Sequence, residues 1–351
     1  MPLTLHIDAR RWRDHVHAYV KGTGDPGSPS VVPVAKGNGY GFGNAVLATE
    51  AAAAGASTLA VGTHDEVAEV SDAFPGDLLV LAPWHASSGV PTDDDRVVHT
   101  VSDLEALRAL SEAEHRPRVV VEVLTSMRRH GIEADRLPDV ASLIDRVRFE
   151  GFALHLPLAG RHLDEAHTLG VRAIAAAESA GWRERTLWVS HLSPADAAEL
   201  ARRTSTDVRL RVATALWLGE RAALRPTATV VDVQPVRRGE RYGYRQRRAP
   251  RDGTVLVMSG GTAHGIALEA PTPAATPRQR AVSLAKGGLD ALGRSLSPFT
   301  VAGKQRWFAE PPHMQVSMVW LPGSVTAPAR GDEIGVEVRF TTTSFDRLAW
   351  E

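Results

Sequence analysis

The 351-residue chain contains no cysteine. Disulfides, a thiolate nucleophile and cysteine-ligated metal centres are excluded at once, and the composition suits a reducing, cytoplasmic setting. Excess charge is also missing. Lys and Arg number 40 against 41 Asp and Glu, a formal net charge of -1, so there is no bulk field to attract nucleic acid. No apolar run approaches the ~20 residues that a membrane-spanning helix needs. The opening MPLTLHIDARRW lacks the basic-then-apolar pattern of a secretory signal. These absences predict a cytoplasmic protein without membrane or nucleic-acid partners, and the expectation of no metal site goes with them.

The residues that are present follow a regular plan. Hydrophobic residues make up 43% and charged residues 23%, an ordinary globular balance, and the length suits a large α/β barrel with a smaller companion. Val- and Leu-rich runs at 30–37, 58–63, 77–83, 96–101, 116–125, 147–156, 185–192 and 207–213 read as strands buried on both faces. Helical stretches lie between most of them, among them NAVLATEAAAAGA, SDLEALRALSEAE and DEAHTLGVRAIAAAESA. Ser102 and Ser193 are candidate caps. The alternation predicts a (β/α)8 barrel over about 9–217. The short polar connection 83–96 predicts a reduced or missing helix there. From 218 to 351, TATVVDVQPV, GTVLVMSGG, HMQVSMVWL and DEIGVEVRF predict a mostly β domain. Residues 1–8 are either a strand of that domain or a lead-in to the barrel. Residues 270–280 read as an exposed loop.

The sharpest chemical signal is VVPVAKGNGYGFG. A buried strand ends at Lys36, and glycines flank Tyr40. C-terminal strand ends form the active site of such barrels. There, desolvation disfavours the charged lysine and leaves an amine able to attack an aldehyde, while the glycines allow backbone to approach a bulky ligand. On the residues alone, a surface lysine in a glycine-rich turn is an equal reading.

VAKGNGYGFG followed by LAVGTHDEVAEV resembles the start of alanine racemases, fold-type III pyridoxal-phosphate enzymes in which a V-K-A-x-A-Y-G-H-G motif carries the cofactor lysine. The resemblance is strong over 31–70, fair over 118–160, 185–219 and 230–265, and poor after 266. It implies pyridoxal 5'-phosphate held by Lys36 as a Schiff base, with Tyr40 and Ser193 on the phosphate and Ser193 at a helix N-terminus suited to anions. It further implies Arg129 on the cofactor phenolic oxygen and near substrate, His155 beside the ring and Arg211 facing the pyridine nitrogen. An arginine has no proton to give that nitrogen, which favours simple proton removal and return at Cα over transamination. Related decarboxylases typically use a catalytic cysteine, which this chain lacks. Each site residue also has a plain structural reading: His155 as core, Ser193 as cap, Arg129 as half of a solvated pair. Arg209 competes with Arg211, since alternation sends both to one face.

Racemisation needs a second base, and the resemblance implies Tyr244 in VRRGERYGYRQ, supplied by the partner of a homodimer with shared active sites. Lys36 would serve the D-isomer and Tyr244 the L-isomer. A tyrosine needs cationic neighbours to act as a base near neutral pH. Tyr242 is its rival, and the seven arginines of 237–251 read as solvated surface. There are departures from the family pattern. Glu122 replaces a carbamylated lysine near Arg129, with the same charge. C-M-D becomes His313-Met314-Gln315, retaining Met314 for substrate. Thr262 replaces the tyrosine of G-Y-A-D-G, and the C-terminal domain is divergent and shortened. The expected activity is interconversion of L- and D-alanine. Racemisation of another amino acid, or a pyridoxal-phosphate-binding carrier or regulator without racemase activity, stand as alternatives.

Overall fold

The computed structural model describes residues 2–22, 28–89, 91–140, 143–182, 184–268 and 295–351. The loop expected at 270–280 lies outside the described residues. The chain divides into two units, one of Arg13–Gly39 and Gly43–Gly219, the other of Met1–Trp12, Tyr40–Phe42 and Glu220–Glu351. In chain order, strand β1 (Leu3–Ile7) belongs to the second unit. The first holds β2 (Ser30–Ala35), β3 (Thr58–Val61), β4 (Asp77–Val80), β5 (Val97–Val101), β6 (Arg118–Val123), β7 (Arg148–His155), β8 (Leu187–Ser190) and β9 (Val208–Val212).

All eight apolar runs thus become strands, and they close into one parallel barrel in which β9 returns to β2. Side chains alternate along each strand. The inward set packs as Val32, Val34, Ala60, Leu79, Val98, Val120, Ala153 and Trp188. Continuing the same parity by two residues leads from Val34 to Lys36, from Val120 to Glu122 and from Ala153 to His155. Arg209 lies over the Trp188 ring, 4.4 Å from its centroid, and Arg211 follows it on the same face one layer nearer the C-terminal strand ends.

Helices Asn44–Ala53, Leu104–Ser111 and Leu163–Ser179 fill the expected stretches. After β4 the described residues form only a 3-10 turn, Ala86–Ser88, in keeping with the short polar connection. Ser193 caps the helix Pro194–Thr204. Ser102, by contrast, is not a cap: Asp103 is the extended residue before Leu104, and its carboxylate accepts from the Ala106 N–H at 2.7 Å. No described helix is long and apolar enough to cross a membrane.

The second unit is mostly β. It contains β10 (Leu224–Val236), the small hairpin β11 (Arg241–Tyr242) and β12 (Arg247–Arg248), β13 (Gly253–Ser259), β14 (Leu296–Val301), β15 (Lys304–Phe308), β16 (Val316–Pro322), β17 (Glu333–Gly335) and β18 (Arg347–Trp350). The main sheet runs β14-β15-β16-β13-β10-β1-β18, with β17 also on β10. The N-terminal residues are therefore a strand of this unit. β1 pairs antiparallel with β10 and parallel with β18, and Leu3 joins Val230, Leu256, Phe299 and Val319 in the core.

One buried group ties the barrel to pH. His99 has the opposite parity to Val98 and faces away from the barrel axis, stacked on His64 at 5.1 Å with Nδ1 2.9 Å from His64 Nε2. Burial, then the charges of His64 and His115, push its pKa down to about 4. Unfolded, the same ring takes up its proton near pH 6.5. The unfolded state binds more protons between these values, so stability falls through that window as pH drops, by about 3 kcal/mol in all. Denaturation midpoints measured from roughly pH 7 to 4.5 should fall less steeply for His99→Gln than for the native chain. Equal slopes would show that His99 carries no such linkage.

Candidate active site

Lys36 follows the last residue of β2, and the chain turns away through Gly37 and Gly39, both with positive φ. Glu66 pins this turn. Its two carboxylate oxygens accept from the Gly37 N–H at 2.8 Å and the Gly62 N–H at 2.6 Å. A Cβ on Gly62 would stand 3.0 Å from the Lys36 Cβ, so only glycine lets β3 approach the lysine this closely. The Lys36 chain opens to solvent at the barrel end. Its ammonium pKa is nonetheless lowered, first by desolvation and then by Arg129 and Arg211, with Glu66 opposing. Lowering the pKa enlarges the neutral, nucleophilic fraction.

Arg211 is buried. One Nη donates to the Leu154 carbonyl at 3.2 Å, and the Nε has no hydrogen-bond partner among the described residues. Burial lowers its pKa and Glu122 restores part of the loss. Glu122, 2% exposed, is the counter-charge. Burial raises its pKa, and Arg211 and Arg129 pull it back. Arg129 and His130 approach Glu122 Oε1 at 3.9 and 3.6 Å. They are brought there by a tight return after β6, where the Ile132 N–H donates to the Glu122 carbonyl and the Leu124 N–H to that of Ile132. Gly131 at φ +135 permits the return, since a Cβ would fall 2.5 Å from the Leu124 nitrogen.

His155 ends β7 with its carbonyl accepting from the Thr125 hydroxyl at 2.7 Å. Burial and then Arg211, Arg129, His191 and Lys36 push its pKa down to about 2, so it is a neutral imidazole. His191 meets it edge-on at 4.8 Å. That ring is fixed by Nδ1 against the Leu156 carbonyl at 2.6 Å, on a backbone at φ +65.

Lys36, Glu122, Arg129, His155 and Arg211 therefore act on one another within the barrel unit. Arg209 is set apart by its packing on Trp188. Ser193 lies on the same unit with its hydroxyl engaged in capping: it accepts from the Asp196 N–H at 3.0 Å and donates to Asp196 Oδ2 at 2.8 Å. Tyr40 is buried at φ +54 and groups with the β-rich unit. So do Tyr244, in the β11–β12 turn and 84% exposed, and Met314, 70% exposed. Tyr242 stacks on Trp320 at 5.7 Å, and burial raises its pKa, both unfavourable to a base. Glu66, His130 and His191 are site partners that sequence reasoning missed. All three lie inside the segments of resemblance, but none has a local pattern that announces it.

A family profile described as "Alanine racemase, N-terminal domain" matches residues 7–210. The chain belongs to this family. The alanine racemase of Mycobacterium bovis is 26% identical over 269 residues, covering 68% of each chain. Among solved structures, alanine racemase from the D-cycloserine producing Streptomyces lavendulae superposes with a TM-score of 0.69 at 19% identity, covering 100% of this chain and 97% of that one. The Bartonella henselae alanine racemase with covalently bound pyridoxal phosphate gives 0.66 at 15% identity, covering 96% and 91%. These superpositions establish a shared fold.

Within the family's barrel, the neutrality of His155 is open to direct test. Its imidazole ¹⁵N resonances should stay those of a neutral ring across roughly pH 5 to 8. A transition near the ordinary histidine value would contradict the arrangement of cations around it.

Proposed function

We propose that this chain is a pyridoxal-phosphate-dependent racemase of alanine with two bases, Lys36 and Tyr244. The observation that carries the reading is Lys36 itself, an amine of lowered pKa at an inward-facing strand end, beside Arg129, Arg211 and His155. The residues suit an anionic aromatic cofactor: the charge near Lys36 is mostly cationic, and the buried Arg211 Nε has a donor to spare. Lys36 would hold the aldehyde carbon, Arg129 and Arg211 the phenolic oxygen and ring nitrogen, His155 the ring, and Tyr40 and Ser193 the phosphate. When bound, pyridoxal phosphate supplies an electron-withdrawing ring that acidifies the substrate Cα proton.

The chain's own groups do the rest. Lys36 Nζ takes or returns the Cα proton of the D-isomer, and the Tyr244 phenol that of the L-isomer. Arg211 offers the ring nitrogen a charge but no proton, which restrains electron storage and side reactions. Glu122 holds the charge of Arg129 in place, Arg129 faces the substrate, and Met314 contributes to its binding. The exposed Tyr244 serves the Lys36 of a second copy, an exchange that closes as a two-fold dimer in a cytoplasmic setting. The expected outcome is complementation. Lys36→Ala and Tyr244→Phe chains should each be inactive alone and regain racemisation when mixed. A fully active monomer in sedimentation would rule out the shared site.

A second reading, racemisation of a larger amino acid, is favoured by one observation. A cavity of about 710 Å³ beside Tyr244 is lined by the retained Met314 together with Thr262, His313 and Gln315, three positions where this chain departs from the family. Loss of optical activity across a panel of L-amino acids separates the two. Alanine should turn over fastest, and a faster larger substrate would select the second reading.

A further inference from the structure

An exposed tyrosine in a four-residue turn ordinarily samples several rotamers, yet Tyr244 is held at three points. Its N–H donates to Glu310 Oε2 at 2.8 Å. The preceding Gly243, at φ +70, presses its backbone on the same carboxylate, where a Cβ would stand 2.3 Å from an oxygen. Its ring lies against the His313 imidazole, with centroids 4.5 Å apart and planes tilted by 39°.

His313 is itself fixed. Its Nε2 donates to Glu310 Oε1 at 2.8 Å. Glu310 is only 2% exposed, and burying a carboxylate is costly unless both oxygens are satisfied. Here one oxygen is used by the Tyr244 main chain and the other by the ring that Tyr244 leans on. Arg245 lines the adjoining cavity, while Arg247 donates to the Ala309 carbonyl at 3.1 Å.

We propose that Glu310 and His313 are a positioning pair for Tyr244: the carboxylate sets its main chain and the imidazole, and the imidazole sets the phenol ring. The inference rests on the reading of Tyr244 as the L-side base and assigns two further residues to that base. The pair acts through Tyr244 alone, so its loss impairs one half of the proton exchange and leaves the Lys36 half intact. A general loss of fold would lower both.

The experiment uses full-length enzyme with cofactor. Tyr244 ring signals, assigned by their disappearance in Tyr244→Phe, carry the ring-current displacement of His313. In both Glu310→Gln and His313→Gln they should move toward the shifts of an unrestrained tyrosine. Solvent exchange at Cα of the L-isomer should fall roughly 10- to 100-fold through kcat, with KM little changed and D-isomer exchange retained. Should Glu310→Gln fold poorly, the more exposed His313→Gln carries the test. Unmoved Tyr244 signals in both variants, or equal loss for the two enantiomers, overturns the pair. Full racemisation by Tyr244→Phe is a separate failure, overturning the assignment of the base itself.

Discussion

A parallel strand closed into a barrel leaves every second side chain inside, and that single constraint organises the candidate site. Val32 and Val34 commit Lys36, Val120 commits Glu122, Ala153 commits His155, and Trp188 with Arg209 sets the layer below Arg211. Lower layers are filled by apolar side chains, so the chemistry is confined to the C-terminal strand ends. Polar groups brought together in this way must then settle their charges among themselves.

They do so with one buried anion against several cations. Glu122 faces Arg211 and Arg129, with the His130 ring 3.6 Å away, and losing it would leave the arginine charges uncompensated. Burial, and after it the residual cationic field, lowers the pKa of Lys36, His155 and His191. In the β-rich unit Glu310 plays a comparable part on a smaller scale, as a buried carboxylate whose two oxygens hold a main-chain N–H and an imidazole. Each of these carboxylates is only 2% exposed and holds the groups it touches.

Much of this was legible in the sequence. Strands buried on both faces are continuous apolar runs, so all eight barrel strands could be read, and the switch to β-branched alternation after the barrel marked the second unit. Lys36 stood out because a cation terminates an apolar strand before a run of glycines. Partner choice was not legible. Parity gave Arg209 and Arg211 the same face, and only register, with Ser30 opposite Arg209 and Val32 opposite Arg211, separates their layers. Nothing local to Glu66 announces that it holds the Gly37 and Gly62 N–H groups, and Glu310 is 66 residues from Tyr244, beyond any local pattern. The Ser102 and Asp103 caps differ by one residue, within the ordinary uncertainty of helix boundaries.

The central claim is that Lys36 is the amine to which the cofactor binds. Borohydride reduction of the chain with pyridoxal phosphate, followed by peptide mass mapping, tests it most directly. The account predicts a single reduced adduct on the peptide containing Lys36, together with loss of near-visible absorbance. An adduct at Lys21, Lys286 or Lys304 instead, or an undiminished adduct in Lys36→Ala, would contradict it.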